Sequence, residues 1–130
     1  MNLVARIASL ASRIGTEVKN KITATHPGVA KAWVCFGAVD SQMLIRRSFN
    51  VAGVTRLDKG RYRINFTLPM PDANYCFTAT ARSARDNGQQ QFAIVRATAD
   101  QKSTQFIDLV VASSTASFSD STEINLVVFH

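Results

Sequence analysis

The sequence predicts a mainly β protein: an antiparallel β-sandwich of about seven or eight strands preceded by one N-terminal α-helix. Three observations predict it. Residues 2–22 carry apolar side chains at a period near 3.6, residues 31–129 break into short apolar or alternating runs, and His26-Pro27-Gly28 separates the two regimes. At 130 residues the chain has room for one domain with a core of its own. The reading divides it into a helix over 1–26, for attachment or oligomerisation, and a sandwich over 27–130.

In the helix, Leu3, Ile7, Leu10, Ile14, Val18 and Ile22 recur at spacings of three and four and form one stripe. Ala5, Ala8 and Ala11 favour helix, and Asn2 stands where a cap is needed. A heptad fits only from Leu3 to Ile14, because Glu17 and Lys21 fall in the next core slots. The stripe therefore drifts as a straight helix or an 11-residue repeat would. A helix this short is marginal alone in water, so the stripe must pack on its own domain, on sister copies or on a larger partner.

Strands are expected at 31–36, 45–51 and 54–57, the last two separated by Ala52-Gly53. Residues 61–68 alternate, with Tyr62, Ile64, Phe66 and Leu68 on one face and Arg61, Arg63, Asn65 and Thr67 on the other. Asp58-Lys59-Gly60 reads as a hairpin loop with glycine in the left-handed position. Pro69-Met70-Pro71-Asp72 ends that strand. Further strands follow at 75–82, 91–97, 105–112 and 123–129, with exposed loops at 83–90 and 113–122.

Composition narrows the function classes. Apolar residues make up 46% of the chain, which argues against wholesale disorder. No apolar run reaches membrane-spanning length, and Arg6, Arg13, Glu17, Lys19 and Lys21 interrupt 2–22 too often for a signal peptide. Synthesis and folding in a cytoplasm are expected. The net charge of +6 is local: residues 44–63 hold six basic side chains against Asp58 alone. Within that stretch Arg56, Lys59, Arg61 and Arg63 are expected to gather on one surface and contact an acidic partner. The rival is a solvated edge that discourages strand-to-strand aggregation.

Catalytic constellations are hard to build. Cys35 and Cys76 match no zinc spacing and are expected as small buried thiols, reduced and unreactive. His26 precedes a proline and His130 is the last residue given, so neither pairs with a nucleophile. Asp108 and Glu123 are the only strand carboxylates, each read as part of a solvated face rather than as a glycosidase pair. Neither a phosphate-binding glycine loop nor a metal-ligand cluster is present in the sequence, so no enzyme, metal or cofactor is expected. Trp33, the only tryptophan, is expected in the core; its alternative is stacking on a sugar.

Lys31-Ala32-Trp33-Val34, the run from Ile45 to Val51, the stretch from Asp58 to Phe66 and Met70-Pro71-Asp72-Ala73-Asn74-Tyr75 together resemble a module of tailed-bacteriophage fibre proteins. The likeness is clear over about 29–82 and looser beyond. Cys35 stands where that family usually has asparagine, and Asp58-Lys59-Gly60-Arg61-Tyr62 replaces a longer, acidic turn. The resemblance implies a structural virion protein, assembled in the bacterial host cytoplasm, as a tail fibre, a head fibre or an adaptor for another fibre. It implies a homotrimer that contacts other virion proteins and displays a sandwich for host-receptor binding. A host cell-surface polysaccharide would be met through the loops at 83–90 and 113–122. Nucleic acid is the disfavoured partner, since the stretch from Arg46 to Arg63 lacks interleaved exposed aromatics.

Overall fold

The computed structural model describes residues 2–83, 89–96 and 100–130. Helix α1 (Leu3–Lys21) is followed by β1 (Ala32–Val39), β2 (Gln42–Phe49), β3 (Val51–Asp58), β4 (Arg61–Phe66), β5 (Cys76–Arg82), β6 (Gln91–Ile94), β7 (Phe106–Ser113) and β8 (Glu123–Phe129). The strands form two four-stranded antiparallel sheets, a front sheet in the order β2-β1-β8-β5 and a back sheet in the order β3-β4-β7-β6. This is the sandwich that the alternating runs predict.

Alternation builds the core. Val34 and Phe36 of β1 and Ile124, Leu126 and Val128 of β8 face Tyr62, Ile64 and Phe66 of β4 and Ile107, Leu109 and Val111 of β7, all buried. Burial removes roughly 1.5–3 kcal/mol worth of apolar exposure per large side chain, so these inner rows hold the sheets together. Phe36 meets Tyr62 edge-on across the sheets at 5.4 Å, and Phe66 meets Tyr75 at 5.8 Å. Tyr75 is buried with its hydroxyl donating to the Ser103 carbonyl at 2.8 Å, and burial pushes its phenol up to about 12.

Turn chemistry sets the strand ends, and here the structure corrects the sequence reading. β1 runs on to Val39 because Asp40 and Ser41, both with positive φ, close a two-residue hairpin into β2. The chain passes from the front to the back sheet at Asn50, not at Ala52-Gly53, which lie inside β3 at a bulge. Asn50 takes a positive φ of 52°, which asparagine tolerates better than most residues. Its side-chain amide donates to the Lys31 and Leu68 carbonyls, and its carbonyl accepts from the Leu68 N–H at 2.7 Å. Gly60 has the expected positive φ, and a Cβ there would lie 2.6 Å from the Ser119 nitrogen, so glycine is required twice over. The position Ala97, expected at the end of the 91–97 strand, lies outside the described residues, as do 84–88 of the loop at 83–90.

Asp120, in the connection from β7 to β8, gathers three donors. Arg56 reaches it at 2.7 Å, the Gly60 N–H at 2.8 Å, and the Tyr62 hydroxyl donates to it as well. Burial alone would raise this carboxyl, but the hydrogen bonds from Arg56, Tyr62 and Gly60 outweigh it and hold Asp120 below the ordinary carboxylate range. The same burial, with the bond to Asp120, drives the Tyr62 phenol well above its usual value. Asp120→Ala should cost about 2–3 kcal/mol in urea unfolding, because it strands a buried hydroxyl, an N–H and a guanidinium. A depressed carboxyl stabilises the fold above its unfolded value of about 4, and that contribution is lost as the pH falls below it. Acid titration of unfolding stability should therefore show a shallower acid limb in Asp120→Ala than in the wild type.

Candidate functional site

The sequence-predicted attachment residues come together as expected and are left uncovered. Leu3, Ile7, Leu10, Ile14, Val18 and Ile22 form one stripe on α1, and all six are between 54% and 71% exposed. α1 contains no buried residue at all. Its ends are well made: the Asn2 side chain caps the Ala5 N–H at 2.9 Å, and Lys19 and Lys21 lie in the last turn, where the helix dipole favours cations. Val4, not singled out from the sequence, adds to the stripe at 75% exposure. Ala8, Ala11 and Gly15 follow one position behind, so this flank is low enough for another helix to approach closely.

Strand directions give the molecule two distinct ends. The β1–β2 and β3–β4 hairpins and the β7–β8 connection lie at the end far from the helix. The helix enters at the opposite, basal end, where the Lys31 ammonium binds the Ala24 and His26 carbonyls and ties the linker down. Beside that linker is an open cleft of about 600 Å³ lined chiefly by Val29, Ala30, Phe49, Leu68, Pro69 and Met70. Its members Phe49 and Leu68 are exposed apolar side chains at the base of the sandwich.

The four cations expected to form one patch do not. Arg56 pairs with Tyr62 in register, so it lies on the inner face at the sandwich rim, bound to Asp120. Arg61 and Arg63 point outward from the back sheet, as the alternation requires. Arg63 is held by the buried Asp108 at 2.7 Å and stacks 3.9 Å from the Phe106 ring centre. Arg61 lies close enough to Asp100 to help lower its carboxyl, an effect dominated by the hydrogen bond from Arg96. Lys59 sits exposed in the far hairpin. The physical reason is pairing: acidic residues from later in the chain, Asp100, Asp108 and Asp120, fold back onto the basic stretch.

Other expectations are revised. Asp108 is 3% exposed, not part of a solvated face. It and Glu123 lie on the outer faces of opposite sheets, so they do not face one another across a groove. Trp33 is 36% exposed on the outer face of the front sheet, because the inward positions of β1 fall to Ala32, Val34, Phe36 and Ala38. Among the described residues no group of three or more His, Cys, Asp or Glu side chains is placed to hold a metal ion, and no helix is long and apolar enough to cross a membrane.

Compared with protein-family models, curated protein sequences and solved structures, the chain matches none.

The two cysteines are also placed differently from expectation. Cys35 is half-buried and Cys76 is exposed; both are free. They pair with Asn125 and Phe129 of β8 from opposite sides. That separates them by roughly 14 Å along the strands and about 10 Å across them, beyond the ~7 Å span of a disulfide. Titration of the native protein with a thiol reagent should modify Cys76 promptly and Cys35 slowly, with Cys76→Ser abolishing the fast phase.

Proposed function

We propose that the chain is a structural component of a tailed-phage particle: a fibre or fibre-like protein that assembles through α1 and displays its β-sandwich away from the attachment point. The observation that carries this reading is the fully uncovered apolar stripe on a capped 19-residue helix. Such a helix is marginal by itself in water. Full burial of each stripe residue is worth roughly 1.5–3 kcal/mol, so partner helices supply what the chain's own sandwich does not. The basal cleft places further apolar surface beside the linker that follows the helix, and the hairpins lie at the far end, as a displayed module requires. The resemblance to fibre modules supplies the virion setting, with a capsid-decorating head fibre or a fibre adaptor as the variant without receptor binding. Other virion proteins are its proposed partners.

Copy number has two readings. The resemblance implies three chains. Over the stretch that fits a heptad, however, Ile7 and Ile14 take the a positions and Leu3 and Leu10 the d positions, the arrangement that favours two strands in parallel coiled coils. Multi-angle light scattering of the purified chain should give a mass two or three times that of one chain. Leu10→Asp, which places a charge in the stripe without touching the sandwich, should return it to monomer with strand circular dichroism unchanged. A wild-type chain that stays monomeric at every concentration would sink the proposal.

A further inference from the structure

The outer face of the front sheet sets exposed aromatic side chains beside arginines. Directly opposed residues on neighbouring antiparallel strands share a face, so the register lays out its rows. One row runs Phe49–Trp33–Val127–Thr78, and above it, away from the base, Arg47–Cys35–Asn125–Thr80. A bulge between Cys35 and Phe36 inserts Arg46 as an extra residue on β2. Its guanidinium lies against Gly37, the next outward position of β1. A third row is thereby completed by Arg46 and the Arg82–Glu123 ion pair, which line one small cleft. Between Trp33 and the Thr78–Thr80 edge lies an open groove of about 310 Å³, floored by Cys35, Asn125 and Val127.

We propose that this face binds an anionic saccharide chain, with Trp33 and Phe49 stacking on sugar rings, Thr78, Thr80 and Asn125 hydrogen-bonding ring hydroxyls, and Arg46 and Arg47 pairing with acid groups. Charge selects the occupant. Among the described residues Arg46, Arg47 and Arg82 stand against Glu123 alone, and unlike Arg56 and Arg63 the two bulge arginines make no ion pair there. A guanidinium is a fitting fork for a carboxylate, sulfate or phosphate oxygen pair. Rows two residues apart are spaced roughly 7 Å, so successive rows meet successive sugar units. An uncharged apolar partner would leave the arginines unmatched; nucleic acid would find Trp33 and Phe49 side by side in one row, where successive bases want platforms along the strand. The inference adds a ligand class to the displayed domain. It does not rest on assembly through α1, since the face belongs to a single sandwich.

Because Trp33 is the only tryptophan, its emission reports on this surface directly. The full-length protein is titrated with oligogalacturonate and with dextran sulfate as acidic saccharides, with maltoheptaose as a neutral one, and with polyglutamate as a polyanion that is not a sugar. The expected result is a shift in Trp33 emission and binding of at least one acidic saccharide about tenfold tighter than maltoheptaose or polyglutamate. Arg46→Ala and Arg47→Ala should each weaken it several-fold, and Lys59→Ala, at the far hairpin, should leave it unchanged. Calorimetry on Trp33→Phe, a conservative change at an exposed position, should show weakened binding with the fold retained. Absence of binding by both acidic saccharides, equal binding of polyglutamate, or indifference to both arginine substitutions would overturn it. So would protection of Trp33 from acrylamide quenching in the assembled protein, which would mean that the face is buried between copies. A failed assembly test leaves these readouts intact, so the two proposals fall separately.

Discussion

Apolar side chains must leave water, and the two parts of this chain meet that demand differently. In the sandwich, every second residue of the inner strands turns inward, and the two sheets bury one another's faces. Tyr62, Ile64, Phe36, Ile107 and Ile124 lose all contact with solvent. Nothing equivalent exists for α1, whose apolar stripe has no facing layer. A sheet with its inner row exposed would aggregate or unfold. A helix with its stripe exposed is in the same predicament, and the proposed assembly would supply its facing layer. Satisfaction at one end and its absence at the other give the molecule its polarity.

The polar interactions serve that geometry. Asn50 fixes the corner at which the chain leaves one sheet for the other, satisfying carbonyls and an N–H that would otherwise be stranded. Asp120 ties the far rim together through Arg56, Gly60 and Tyr62. Asp108 holds Arg63 flat against the back sheet. These ion pairs draw charge from the basic stretch into the structure and leave Arg46 and Arg47, displaced by a bulge, to face outward beside Trp33.

What the sequence revealed followed from period. The helix stripe, the inner row of β4 and the hairpin glycine Gly60 were legible because each is dictated within a few residues. Local pattern failed where a distant partner decided. Asp40-Ser41 lacks the usual Asn-Gly signal, so the hairpin and the ends of β1 and β2 were missed. Glycine is the more familiar breaker, so local pattern puts the break at Ala52-Gly53 and not at the Asn50 corner. Local pattern groups Arg56 with Arg61 and Arg63, since a bulge near Asp58 and an acidic residue 64 positions later in the chain leave no local trace. The apolar run around Trp33 points to the core, yet strand phase alone decides which half of such a run is buried. Period did contain that signal: Val34 and Phe36 claim the inward positions, and Trp33 falls between them.

The central claim is that α1 owes its stability to other copies or partners and the sandwich owes its stability to itself. Amide hydrogen exchange read across a dilution series separates the two most directly. Protection within Leu3–Lys21 should rise steeply with protein concentration, while amides of β1, β4, β7 and β8 stay equally protected throughout. Helix amides protected to the same extent at every dilution would contradict the account.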